Sequence, residues 1–441
     1  MKKINIILIR PKISYNKTFM GKTVLPPLNL LLLAAVTPET ANVTIIDEIV
    51  EKISIPTGTD IIGITIPTTA YALRAYEIAK KFKKQGIFIV IGGMHSTFLP
   101  EEAIKFADTV VCGEAEETWP QLIEDFQSGN IKRIYNVGFY NSLTKSPIPR
   151  WDLIDSNNYI FPFSIQVTRG CHRKCFYCSV SKFYNSTHQC RSIKSVIQDI
   201  KNIKNEVKLI PIIDDNFFGN INYAKDLMKA LIPLKIKWAT QVPIEYFNDS
   251  EILDLAVRSG CSYIFTGIES ISSKSLYESR RKKLKTELLK NIFYNLMKHD
   301  IIPFAHFIFG FDNDTPEVFS STCNYAQDIG IPLVQFHILT PYPGTELYNK
   351  IVRQKRLLHN NWSLYDAKHV VFSPKKMSAN ELKSGFDNAW KLFYSTKSIY
   401  SRMKYLKDIN SITRRKIMIL NFGYKFFVGK HMRYHKLTFV K

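Results

Sequence analysis

The sequence has no run of about 18 or more apolar residues, so it offers no ordinary membrane-spanning helix. Its densest apolar stretch, Leu28 to Val36, lies between Pro27 and Pro38 and is too short to cross a bilayer. A leader is also lacking. Met1-Lys2-Lys3 runs directly into INIILIR, with neither a long apolar segment nor a small-residue cleavage site. That opening reads as a first strand, and the expectation is a cytoplasmic protein. Cysteine is too sparse and too uneven for a disulfide framework. Cys112, Cys190, Cys261 and Cys323 are scattered, whereas Cys171, Cys175 and Cys178 crowd into one short segment. Internal repeats, low-complexity tracts and the biases of disordered or collagenous chains are absent. Acidic residues are scarce beside basic ones, leaving a formal net charge of +22. Half of that excess falls in Lys397 to Lys441, where twelve Lys/Arg meet one acid, Asp408. Such a tail suits an anionic partner: a membrane surface, nucleic acid or a phosphorylated substrate.

With 441 residues, 45% of them hydrophobic, the chain can build two or three packed domains. Within residues 1–140, the runs 4–10, 43–49, 60–66, 87–93 and 109–114 read as buried strands. Helix-period segments such as 70–86 lie between them. This alternation predicts a parallel sheet with helices on both faces. A linker follows at 141–160, marked by Pro147, Pro149 and Trp151. The alternation restarts at 161–346 with six strand candidates: 164–168, 209–214, 236–242, 262–268, 303–310 and 333–339. Six such units suit a partial (βα)6 barrel better than a second open sheet, although periodicity alone fits either. Residues 347–441 read as a mostly helical, basic extension. In it Ser378 and Glu381 form a capping box before an amphipathic helix.

The chemistry concentrates in CHRKCFYC, Cys171 to Cys178, directly after Arg169-Gly170. Three thiolates on one short loop can each bind one iron of a cubane and leave the fourth iron open. That open iron can chelate the amino and carboxylate groups of a methionine moiety. The alternatives are a zinc site completed by His172 or Cys190, or a chance group of free thiols. No second Cys-x-x-Cys pair exists to close a zinc site.

This loop, with Tyr177 before its last cysteine, resembles the signature of the radical S-adenosylmethionine superfamily. The resemblance implies a 4Fe-4S cluster on Cys171, Cys175 and Cys178, and reductive cleavage of S-adenosylmethionine to a 5′-deoxyadenosyl radical. It also implies cofactor contacts at the C-terminal ends of barrel strands. Beyond Tyr177 these would be Asp214 or Asp215 at the methionine amino group, Gln241, Glu269 or Ser270 at the ribose, and Gly310 at the adenine. Asp and Ser after a strand equally suit the caps of following helices.

Residues 26–36, 60–68 and 91–118 are similar to the Rossmann-like cobalamin-binding module fused to class B radical methyltransferases. That implies cobalamin over the C-terminal strand ends, near Thr65, Gly92, Gly93, Gly113 and Glu114. One departure is clear. The Asp-x-His-x-x-Gly motif of histidine-ligating modules is missing, and the loop 10–22 holds no histidine. Cobalt without a protein histidine on its lower face is therefore expected. His95 could substitute, but a histidine after a Gly-Gly turn also serves as a hydrogen-bonding loop residue. The bland alternative for this module is a Rossmann-like domain that only packs against the barrel.

Residues 362–378 resemble an extension found in the branch that includes hopanoid methyltransferases. The family then implies a radical enzyme that methylates an unactivated carbon of a lipid-like, isoprenoid-like or other small molecule. It would draw electrons from a partner such as flavodoxin or ferredoxin, and no protein acid or base is demanded. Cyclisation or rearrangement with the same cofactors remains open, as does a non-catalytic corrinoid-binding protein. A methylthiotransferase of transfer RNA would need a second cysteine triplet, yet only Cys112 precedes Cys171. In the basic tail, Phe422, Tyr424, Phe426 and Phe427 suggest insertion at the inner face of a membrane. The same segment also suits a core helix or, less well, RNA.

Overall fold

The computed structural model describes residues 3–13, 22–136, 143 and 146–435, with side chains to residue 426 in the last helix. Strands β1 (Ile4–Arg10), β2 (Ala41–Asp47), β3 (Ile61–Thr65), β4 (Phe88–Gly92) and β5 (Thr109–Cys112) fall where the apolar runs predict them. A sixth, β6 (Ile134–Asn136), was not foreseen, since three residues carry no usable periodicity. All pair in parallel, in the order β2-β1-β3-β4-β5-β6. Both faces are covered, as buried parallel strands require. Leu30, Leu31, Trp119 and Leu122 pack on Ile4, Ile6 and Leu8 on one side. Ala75, Tyr76, Ile78 and Phe82 pack on Ile7, Ile9 and Ile64 on the other.

The second sheet runs β9 (Ile210–Pro211), β10 (Trp238–Gln241), β11 (Cys261–Glu269), β12 (Ile302–Phe309) and β13 (Leu333–Ile338), all parallel and in that spatial order. The first expected strand shrinks to one bridge, Ile165 with Ile212. Ile165 N donates to the Pro211 carbonyl at 2.9 Å, and Ile213 N to the Ile165 carbonyl at 2.9 Å. Six positions result, and among the described residues no pairing closes them into a full barrel. The chain leaves that first position early because β7 (Thr168–Gly170) pairs antiparallel with β8 (His188–Cys190), clamping both ends of the cysteine segment.

The extension ties the two sheets together. Trp362, Tyr365 and Val371 join the apolar cluster of the first sheet, and Trp362 Nε1 donates to Glu102 at 2.9 Å. Phe372 joins Phe176, Phe311 and Leu339 on the barrel side. The capping box forms as expected: Glu381 N donates to Ser378 Oγ at 3.1 Å, and Ser378 N to Glu381 Oε2 at 2.7 Å.

The last helix, Ser411–His435, corrects one member of the expected aromatic membrane anchor, Tyr424. Tyr424 stacks on Tyr394 at 5.2 Å and on Trp390 at 6.2 Å, and its hydroxyl accepts from Gln335 Nε2 at 2.9 Å. Its ring completes an aromatic stack beside β13, so it is not available to lipid. Phe422 is half-buried near Tyr400, while Phe426 is 71% exposed. The Phe427 side chain lies outside the described residues. Among those described, no helix is long and apolar enough to cross a membrane.

His306 on β12 and His337 on β13 stack with ring centroids 5.3 Å apart, His337 Nε2 lying 3.2 Å from His306 Nδ1. Burial holds His306 down to about 4 from the ordinary 6.5. Burial, followed by the charges of His306 and Lys368, holds His337 down to about 3. The unfolded chain takes up these protons near 6.5, whereas the native pair stays neutral. Stability from the pair is therefore complete above that pH and shrinks as pH falls toward about 4. Urea unfolding across this window should show the slope, and His306→Phe/His337→Phe should flatten it. An unchanged slope would contradict a neutral pair.

Candidate active site

The cysteine loop is built from its flanks inward. Asp214, only 4% exposed, accepts from Val167 N at 2.8 Å, Thr168 N at 2.9 Å and Thr168 Oγ1 at 2.7 Å. Asp215 accepts from Gly170 N at 3.0 Å. The two carboxylates thus brace the strand that enters the loop, and burial pushes both upward, Asp214 to about 7. This bracing uses both oxygens of Asp214, whereas Asp215 is held to Gly170 through one oxygen. Inside the loop, Cys178 N donates to the Cys175 carbonyl at 3.1 Å, and Cys178 caps the helix Ser179–Phe183. Asn216 Nδ2 donates to Cys171 Sγ at 3.6 Å.

Opposite the loop, β11 ends in a bulge between Gly267 and Glu269, and Glu269 adopts φ +68°. A left-handed glutamate is uncommon and marks a site held by its surroundings. Burial pushes its carboxyl up, opposed by Arg281 at 3.9 Å and by a hydrogen bond with Tyr177. Tyr177, Glu269 and Arg281 therefore form one partly buried array beside Cys175, whose thiol burial also raises. Gln241 is exposed at the end of β10. Ser270 Oγ accepts from Ser272 N at 3.1 Å, a turn contact of the kind foreseen as the alternative. Gly310 follows β12 and packs against the extension. Its φ of +107° and Leu382 at 3.0 Å from a would-be Cβ show that a side chain here would press on the extension.

A cavity of about 270 Å³ lies over the C-terminal ends of β3, β4 and β5, and it is lined by all of Thr65, Gly92, Gly93, Gly113 and Glu114. Gly93 combines φ +111° with the Ile66 carbonyl oxygen 2.6 Å from a would-be Cβ, so no side chain fits there. Asn29 Nδ2 fixes the Thr65 hydroxyl at 2.8 Å, and the Thr97 hydroxyl accepts from Gly113 N at 2.9 Å. No histidine among the described residues lines the cavity. His95 is buried elsewhere, 3.3 Å from Thr69 Oγ1 and 3.5 Å from Glu102, with its ring 5.5 Å from Trp362. It is the hydrogen-bonding residue of the plainer reading.

The far wall of this cavity comes from the barrel side, through Gln166, Arg169 and Tyr184. Arg169 is the residue that sequence reasoning missed. Its guanidinium donates to Glu114 at 2.5 Å, lies 2.8 Å from Glu116, and donates to Gln166 Oε1 at 2.9 and 3.1 Å. Burial pulls its pKa down, but Glu116, Tyr184 and Glu114 outweigh that and hold it above the ordinary value. One side chain, two positions before Cys171, thus joins the cavity to the cluster loop. Its place beside Gly170 was the only signal in the sequence.

Comparison with known proteins places both halves. The Radical SAM superfamily model matches residues 165–326, and the B12 binding domain model matches 22–123. The chain is 30% identical over 431 residues to an uncharacterized methyltransferase of Pyrococcus horikoshii, covering 89% of this chain and 93% of that one. The chain belongs to the cobalamin-dependent radical S-adenosylmethionine methyltransferase family. It is 28% identical over 409 residues to the bacteriochlorophyllide d C-12(1)-methyltransferase of Chlorobaculum tepidum, covering 90% and 89% of the two chains. To the hopanoid C-2 methylase of Rhodopseudomonas palustris it is 24% identical over 358 residues, covering 76% and 66%. Its fold is shared with the radical S-adenosylmethionine methyltransferase TsrM of Kitasatospora setae, at TM-score 0.65, 15% identity and 80% and 75% coverage. The cobalamin-dependent radical enzyme OxsB aligns at TM-score 0.63 and 15% identity, covering 97% of this chain and 72% of that one.

The cofactors of this family are a 4Fe-4S cluster, S-adenosylmethionine and cobalamin, and the residues present fit them. Among the described residues no three His, Cys, Asp or Glu side chains converge on a single-ion cage, as a structural zinc would need. In a cubane each thiolate takes its own iron, so a looser triplet is appropriate. The glycine-floored cavity, with Gly93 pressed against the Ile66 backbone, fits a large ligand lying on the strand ends.

Proposed function

We propose that this family member transfers a methyl group to an unactivated carbon of a small molecule with a large apolar body. The observation that carries the reading is the shared wall: Arg169 lines the first-sheet cavity and stands two residues before Cys171, so the two cofactor sites face one another. Two relatives are named for methylating a bacteriochlorophyllide and a hopanoid, which supports an apolar, polycyclic substrate class. When bound, the cluster and S-adenosylmethionine supply a 5′-deoxyadenosyl radical and cobalamin supplies the methyl group.

In this reading Cys171, Cys175 and Cys178 hold the cluster. Tyr177, Asp215, Gln241, Glu269 and Ser270 orient S-adenosylmethionine, and Thr65, Gly92, Gly93, Gly113 and Glu114 cradle cobalamin. A smaller cavity of about 210 Å³, lined by Tyr177, Cys178, Ile308, His337 and Tyr342, would shelter reacting groups from water. Electrons would come from a flavodoxin- or ferredoxin-like donor. Arg415 and Lys416, with exposed Phe426, leave the last helix able to meet an anionic surface in a salt-sensitive way.

The test is anaerobic reconstitution with iron, sulfide and cobalamin, followed by incubation with methyl-labelled S-adenosylmethionine and separate lipid and tetrapyrrole extracts. Label should enter an apolar product in step with 5′-deoxyadenosine. A new product without label would replace methyl transfer by ring closure or rearrangement.

A further inference from the structure

On the rim of the barrel mouth lies a crevice of about 360 Å³ that shares Ser270 with the S-adenosylmethionine site proposed above and continues past it along the segment after β11. Its walls carry Arg173 and Lys174 from the cluster loop and Arg280, Arg281, Lys282 and Lys283 from the segment after β11. Glu245 is the single acid among its lining residues. Three of the cations are neutralised: Arg173 pairs with Glu245, Arg280 with Glu346 at 2.6 Å, and Arg281 with Glu269 at 3.9 Å. Lys174, Lys282 and Lys283 are exposed and have no carboxylate partner among the described residues. A concave surface with uncompensated charge of one sign focuses the field on whatever enters it. Beside the cations the walls carry apolar Ile244, Ile268, Ile271 and Leu284, together with Ser270 and Tyr325.

Resting on the function proposed above, we propose that this crevice binds the anionic end of the substrate, a carboxylate or phosphate carried on an apolar body. Concavity and apolar walls favour a small amphipathic anion over a protein surface, which would need a flatter patch. Arg173 and Lys174 stand between Cys171 and Cys175, so a group held here lies beside the cluster loop. The arrangement would anchor the polar end while the apolar body reaches inward, and it assigns a role to the basic run 280–285 that methyl transfer alone does not require.

The test uses the reconstituted holoenzyme with saturating S-adenosylmethionine. Calorimetry measures binding of dodecyl phosphate below its aggregation concentration, of inorganic diphosphate, and of phosphatidylglycerol vesicles. Wild type should bind dodecyl phosphate more tightly than diphosphate. Lys282→Gln/Lys283→Gln should weaken dodecyl phosphate by about tenfold or more. Arg415→Gln/Lys416→Gln, which removes equal charge from the last helix, should leave it unchanged. Equal weakening by both variants would reduce the effect to bulk charge and overturn the proposal. So would binding to vesicles alone, or diphosphate binding as tightly as dodecyl phosphate. Dodecyl phosphate binding that appears only when S-adenosylmethionine is omitted would assign the cations to the cofactor and overturn the proposal. If the lysine variant bound dodecyl phosphate normally but accepted electrons from flavodoxin more slowly, the crevice would serve an acidic protein and the proposal would fall. Absence of methyl transfer with intact anion binding would instead count against the proposed reaction.

Discussion

Replacing Cys171, Cys175 and Cys178 together by Ala should abolish iron and sulfide binding and reduce 5′-deoxyadenosine formation to background. No other thiol is placed to substitute. Cys112 is buried in the first sheet, and Cys261 and Cys323 lie in the barrel core. Cys190, at 3.9 Å from His188 Nδ1, is the nearest candidate, yet it lies on β8 rather than on the loop. Cobalamin binding should survive in the triple variant, because the cavity for it is built almost wholly from the first sheet. Absorbance of the cluster and of cobalamin can be read from one sample. Near-stoichiometric iron and sulfide in the triple variant would overturn the assignment.

The second large effect is expected at Arg169. Arg169→Leu removes the cation that faces Glu114 and Glu116 across a buried junction, where Glu114 and Arg169 side chains are 2% and 7% exposed. Breaking one side of a buried pair costs about 3–5 kcal/mol, chiefly because a charge is left in a poor environment. Denaturant unfolding should show that loss, and Arg169→Leu/Glu114→Leu should recover part of it. A purely structural junction would lower all activities together. A positioning role predicts a different pattern in Arg169→Lys, which keeps the charge but not the forked geometry. Cluster content and 5′-deoxyadenosine formation should remain, while cobalamin affinity falls and less methyl is transferred per radical. Equal coupling in wild type and Arg169→Lys would reduce Arg169 to a fold residue.

The sequence alone determined the sheet order of chemistry: five of the six N-terminal strands, the six barrel positions, the cysteine triplet and the five residues that line the first cavity. These were legible because each depends on local pattern. A buried parallel strand is a short apolar run, a cubane loop is a fixed spacing, and a strand end beside a glycine pair is adjacent in the chain. What depended on long-range contact was not legible. Nothing in the pattern around Asp214 and Asp215 announces that both also bond to backbone some 45 residues earlier, at Val167, Thr168 and Gly170. Gly310 faces Leu382, far along the chain, and Tyr424 vanishes into a stack with Trp390 and Tyr394. Only the tertiary structure decided these, and only it brought Arg169 to Glu114. A charged or aromatic side chain declares its type in the sequence, but its partner is set by which surfaces the fold presses together.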